Sequence, residues 1–175
     1  MFTNPEQNIL HLGLKEGMRV ADFGAGSGFY SKAVSKRVGF SGKVYAIEVQ
    51  KEYLKKFEDE IKNSGIKNIE CIWGDIETKG GTKIADNSMD AVIISNVLFQ
   101  SEDKIGLIDE ARRVLKKTGK VLLIEWSDSV GSMGPAFKYL ISPSTAKELF
   151  EKRGFKLEEN ITTGAHHYGI IFKYE

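Results

Sequence analysis

The chain has 175 residues, with 25 Lys and Arg against 24 Asp and Glu, a formal net charge of +1, and one cysteine, Cys71. That length suits one domain, residues 1–175, with a real core. The charge balance does not call for a phosphate-tracking surface, since solvated helix faces explain the lysine-rich stretches better, and a lone cysteine excludes a disulfide framework. No apolar run approaches membrane-spanning length and the first residues lack a signal-peptide core, so the expectation is a cytoplasmic protein with neither nucleic acid nor membrane as partner.

Short apolar runs alternate with amphipathic stretches, the pattern of a doubly wound α/β sheet. A short lead-in ends at Gly17. The first strand covers Arg19–Phe23 and the first long helix Phe29–Val38, with Gly39 as its stop. A second strand covers residues 43–47. Leu54, Phe57 and Ile61 then mark a helix closed by Gly65. A third strand covers residues 68–73. A turn-rich stretch leads to a fourth at residues 91–95. Ser101 reads as the N-cap of a helix carrying Ile105, Ile108 and Ala111 on its apolar face. A fifth strand covers residues 121–125. A glycine-bearing loop follows to residue 141, with Gly131, Ser132 and Gly134 as hinges for a lid. Ser142-Pro143 opens the last helix. Two strands, Phe155–Thr162 and His167–Tyr174, are joined too closely to be parallel. The fold class is therefore a Rossmann-like doubly wound sheet, five parallel strands plus a C-terminal antiparallel hairpin.

Residues 20–31 carry the main signal, Val-Ala-Asp-Phe-Gly-Ala-Gly-Ser-Gly-Phe-Tyr-Ser. A strand ends in an acid and leads through three alternate glycines into a helix. Such a turn lets a ligand lie against bare backbone. Glu48 ends the second strand 20 residues past Gly28, where a carboxylate can accept both hydroxyls of a ribose. The pattern points to a nucleoside cofactor. A dinucleotide site needs Gly-x-Gly-x-x-Gly, and both frames fail, at Phe29 and at Ser31. A Walker-type phosphate loop is absent. A glycine turn with no ligand is the plainer alternative.

Asp22-x-Gly24-x-Gly26-x-Gly28 resembles motif I of the class I S-adenosylmethionine-dependent methyltransferases. Three further stretches carry the resemblance: Ile47-Glu48-Val49, Gly74-Asp75-Ile76, and the residues from Ser95 to Gln100 with Glu110-Ala111-Arg112-Arg113 beyond. The chain is similar to the small methyltransferases related to the ubiquinone/menaquinone-biosynthesis C-methyltransferases. The resemblance implies S-adenosyl-L-methionine as cofactor and a small-molecule methyl acceptor. It implies that backbone N–H groups at Gly24, Ala25 and Gly26 meet the cofactor carboxylate. Asp22 serves its ammonium or braces the turn. Glu48 takes the ribose. Val49 and Ile76 sandwich the adenine, and Asp75 takes its amino group or shapes its own turn. Asn96 stands at the strand-4 end, beside strand 1.

No catalytic triad is visible. Methyl transfer from an activated sulfonium needs mainly alignment and exclusion of water, and a base only where the acceptor loses a proton. His166, His167 and Tyr168 form the one unusual polar cluster, readable as a hairpin end or as an acceptor-positioning group. A non-catalytic S-adenosylmethionine-binding module and a nicotinamide oxidoreductase remain the competing readings. The sequence leaves the acceptor atom and the oligomeric state open.

Overall fold

The structure is a computed structural model that describes residues 3–129 and 134–175. In chain order the elements are α1 (Pro5–Asn8), a 3-10 turn at Ile9–Leu12, β1 (Arg19–Phe23), α2 (Phe29–Val38), β2 (Lys43–Glu48), α3 (Lys51–Asn63), β3 (Ile69–Trp73), β4 (Met89–Ser95), α4 (Lys104–Val114), β5 (Leu115–Trp126), a 3-10 turn at Phe137–Tyr139, α5 (Pro143–Glu151), β6 (Phe155–Thr162) and β7 (His167–Tyr174). The strands form one seven-stranded sheet in the order β3-β2-β1-β4-β5-β7-β6. The first five are parallel, and β7 pairs antiparallel with both β5 and β6.

The central strands are apolar on both faces because helices cover both. Alternation along each strand divides the core in two. Ala21, Phe23, Val92, Ile94, Val121 and Leu123 point to one side and pack with residues of α4 and α5. Val20, Ile93, Leu122 and Ile124 point to the other, with residues of α2 and α3. On the first side Phe150 stacks on Phe172 with ring centroids 4.2 Å apart.

Two expectations shift. The N-cap of α4 is Asp103, whose carboxylate accepts the N–H of Gly106 at 2.8 Å. Ser101 instead donates its hydroxyl to the Val97 carbonyl at 3.1 Å, tying down the turn after β4. Both residue types cap helices, and local spacing cannot say which of two neighbours the chain direction favours. The second shift is β5, which begins at Leu115, not 121, with Thr118 at φ +67°. The turn residues Thr118-Gly119 lie inside the strand as a distortion.

Candidate active site

The strand order reverses between β1 and β4, so the chain leaves their carboxyl ends toward opposite faces. Open α/β sheets bind ligands at that point. Two adjoining cavities lie there, of about 390 Å³ and about 500 Å³, and they share Gly24, Gly26, Ser95 and Asn96. The first also takes Asp22 and Ala25; the second takes Glu48, Val49, Asp75 and Ile76. Nine of the ten cofactor-side candidates thus meet in one crevice.

The exception is Gly28. It lines neither cavity. A Cβ there would lie 2.1 Å from the Phe57 ring of α3, so this glycine lets α3 pack over the start of α2. Gly26 is its opposite. A Cβ at Gly26 would meet no atom within 4 Å, because the residue opens onto the crevice, and its φ is +52°. The turn is held against β2. Gly24 and Ala25 both donate their N–H to the Ile47 carbonyl at 2.9 Å. Gly26 donates to Glu48 Oε2 at 3.0 Å. These N–H groups are therefore already engaged, contrary to the expectation that they await a ligand carboxylate. The reason is tertiary: β2 ends directly beside the turn.

Glu48 is buried and uses one acceptor position on each oxygen, the second for the Gln50 N–H at 2.8 Å. A carboxylate has about four such positions, so each oxygen keeps one for a hydroxyl. Asp22 accepts the Ser31 hydroxyl at 2.6 Å, and burial pushes its carboxyl up to about 6. Asp75 braces its own turn, accepting Glu77 N–H at 2.9 Å and Thr78 Oγ1 at 2.8 Å. Glu110, on α4, steadies the same loop by accepting Gly80 N–H and the Thr82 hydroxyl. Asn96 sits at φ +57°, donates its N–H to the Ile124 carbonyl, and holds Oδ1 buried without a partner. A buried acceptor left unpaired is costly, and in a crevice it is a place for a ligand donor.

Three residues passed over in the sequence matter here. Tyr30, the second residue of α2, lines the smaller cavity and accepts from the Asn8 amide at 2.9 Å, joining α1 to α2. Nothing in the local pattern marks that pair. Glu125 near the end of β5 is buried and accepts two N–H groups of the turn after β4. Its signal was available, since it ends a strand with an acid as Glu48 does.

His167 and Tyr168, opposite Trp126 and Glu125 in register, and His166 just before β7 stand at the carboxyl end of β5 but line neither cavity. His166, at φ +69°, has Nδ1 2.9 Å from the Asp128 carboxylate. His167 lies against the Trp126 indole with centroids 4.2 Å apart, and burial pushes its pKa down. The hinge positions Gly131 and Ser132 lie outside the described residues.

A family model described as a methyltransferase domain matches residues 14–169. The chain belongs to the class I S-adenosylmethionine-dependent methyltransferases. Membership carries S-adenosyl-L-methionine as cofactor, and the open face at Gly26 with the unpaired Asn96 Oδ1 fits such a group. The chain is 31% identical over 121 residues to the ubiquinone/menaquinone biosynthesis C-methyltransferase UbiE of Idiomarina loihiensis, covering 69% of this chain and 47% of that protein. It is 32% identical over 127 residues to the UbiE of Cupriavidus necator, covering 73% and 49%. The chain spans about half the length of these curated relatives. A SAM-dependent methyltransferase from Aquifex aeolicus superposes with a TM-score of 0.90 at 28% identity, covering 99% of this chain and 91% of that one. Among the described residues, no helix of this methyltransferase is long and apolar enough to cross a membrane, and no group of three or more His, Cys, Asp or Glu is placed to hold a metal.

Proposed function

We propose that this chain, as a single domain, transfers a methyl group from S-adenosylmethionine to a small-molecule acceptor. The observation that carries the reading is the convergence of Glu48, Asn96 and the open backbone of Gly26 on one crevice. Bound S-adenosylmethionine supplies a methyl group on a sulfonium leaving group, ready for in-line displacement by an acceptor.

The chain's own residues bind and orient. Glu48 receives the ribose hydroxyls on its remaining acceptor positions. Val49 and Ile76 flank the adenine, and Asp75 has one acceptor position per oxygen left for its amino group. Asn96 Oδ1 accepts a hydrogen bond from the ammonium group. Asp22 acts on the same side through its buried carboxylate. Gly24, Ala25 and Gly26 form the wall that the methionine tail runs along, and Gly28 keeps that wall in place through Phe57. Alignment of this kind supplies up to roughly 7–11 kcal/mol of a barrier by effective-molarity arguments, so no triad is required. Where the acceptor must lose a proton, His166 beside Asp128 is the base to test first.

The test has two arms. Calorimetric titration should show binding of S-adenosylmethionine and S-adenosylhomocysteine and none of NAD or NADP. Labelled methyl should then pass to a small acceptor, with quinone-precursor analogues tried first because the relatives are named for that chemistry. Tight NAD binding with no response to S-adenosylhomocysteine overturns the cofactor side. Label appearing only on nucleic acid or protein overturns the acceptor side.

A further inference from the structure

Glu125 lines neither cavity, yet it is the support on which one wall of the crevice rests. It is 1% exposed and points to the α4 and α5 side of the sheet, with the parity of Leu123. Its Oε1 accepts the N–H of Val97 at 3.0 Å and of Leu98 at 2.7 Å. Those are the first two N–H groups of the turn after β4, beyond the strand ladder, and they need a partner from elsewhere. Its Oε2 is buried with no partner, and so is the hydroxyl of Tyr168, the residue directly opposite it on β7.

The segment that Glu125 holds touches the crevice at two points. Asn96, one residue before the first clamped N–H, carries the unpaired Oδ1. The Val97 side chain rests against the glycine turn, where its Cγ2 lies 2.6 Å from the place a Gly24 Cβ would take. A short rigid path therefore runs from the Glu125 carboxylate through Val97 to Gly24, with Asn96 on its flank. A leucine at 125 would be cheaper to bury, but it would leave both N–H groups unpaired and the turn unsupported.

We propose that Glu125 is a positioning residue for cofactor binding, holding Asn96 and Val97 against the Gly24–Gly26 turn through two backbone N–H groups, with the partly buried Tyr168 as its neighbour across the strand pair. The proposal rests on the cofactor and not on the identity of the acceptor. Burial pushes the Glu125 carboxyl up to about 7, opposed by the backbone N–H groups it accepts. The groups that face it are the N–H groups of Val97, Leu98 and Phe99 from the turn after β4, the Trp126 N–H from β5, and Tyr168 from β7, whose own pKa is raised by burial and by Glu125. Protonation weakens both clamp bonds, because a neutral acid is a poorer acceptor than a carboxylate. Asp22, in the crevice wall, is raised to about 6, so Asp22→Asn is the control that removes its step from both signals.

The experiment follows two signals from about pH 5.5 to about pH 8.5, a range that brackets both acids. One is the amide resonances of Asn96, Val97 and Leu98 in the protein without ligand. The other is S-adenosylhomocysteine affinity by calorimetry. In the wild type the three amides move together around pH 7, and affinity weakens about fivefold or more as pH falls through the same midpoint, on the order of 1 kcal/mol. Glu125→Gln keeps the shape and removes the charge. Its amides stay still near pH 7, and its affinity at high pH matches the weakened wild type, leaving only the lower step from Asp22. If Glu125→Gln fails to fold, coincidence of the two wild-type midpoints still decides. Amides that titrate around pH 7 while affinity stays constant overturn the proposal. So does a folded Glu125→Gln protein that binds as the wild type does at high pH.

Discussion

The Glu48 carboxylate accepts the Gly26 N–H at 3.0 Å, joining the end of β2 to the middle of the glycine turn. The two residues are 22 positions apart in the chain. The bond gives Glu48 two tasks, since the group that faces the proposed ribose site also fixes the wall beside it. Its second oxygen is bonded to Gln50 N–H and so sets the entry into α3.

Glu48→Ala should therefore lower both affinity and stability. Each charge-assisted bond to a hydroxyl is worth about 1.5–3 kcal/mol, so affinity for S-adenosylhomocysteine falls at least about tenfold. The melting temperature drops too, because the Gly26 and Gln50 N–H groups lose the acceptor that ties the glycine turn and the start of α3 to β2. Calorimetry and thermal melting on the same preparation check this. An unchanged dissociation constant in the folded variant would remove Glu48 from the site.

Gly26 and Gly28 should fail in different ways. Gly26→Val projects its side chain into open space, with no protein atom to displace, at a strain cost of about 1–3 kcal/mol for a positive φ. The variant folds and loses cofactor binding. Gly28→Ala drives a methyl group into the Phe57 ring and is seen as a fall in melting temperature, larger than that of Gly26→Ala. Cofactor binding retained by folded Gly26→Val would contradict the proposed close approach.

Asp22 gives a signed pH effect. Burial raises its folded-state pKa to about 6, above the ordinary carboxylate value, so the folded state holds its proton more tightly than the unfolded chain. That stability is fully present below the ordinary carboxylate range and is lost as pH rises through about 6. Two units correspond to about 3 kcal/mol. Asp22→Asn keeps an acceptor for the Ser31 hydroxyl and has no charge to bury. Its melting temperature should gain on the wild type as pH goes from about 4.5 to about 7.5. A difference that is constant across that range is the contrary result.

Asn8 and Tyr30 test the seam between α1 and α2. Asn8→Ala removes the amide donor to the buried tyrosine hydroxyl, at a cost of about 1–3 kcal/mol. Hydrogen exchange should quicken in residues 5–8 more than in β1, because the Asn8–Tyr30 hydrogen bond is a buried tie of α1 to α2, whereas the Glu6–Lys36 ion pair beside it is exposed. Uniform protection across both segments would show that apolar contacts of Ile9 and Leu12 suffice.

The order and kind of the elements were legible in the chain because they rest on local rules. Short continuous apolar runs marked the strands, helical spacing gave Leu54, Phe57 and Ile61 one face, and glycines closed the helices. The hairpin at the C-terminus followed from its short joint. The grouping of Glu48, Asp75 and Asn96 with the glycine turn also came from sequence, since each follows a strand at the same end of a parallel sheet. What each group does once there was decided only by tertiary structure. The N–H groups of Gly24, Ala25 and Gly26 were expected to be available, and β2 supplies their acceptors. Gly28 shared the motif with Gly26, and only the arrival of Phe57 from α3 separates packing from ligand approach. The Glu125 clamp joins residues 28 positions apart on adjacent strands. Sequence order does not say which buried carboxylate meets which orphaned N–H, because that pairing is fixed by the sheet's register and not by the local chain.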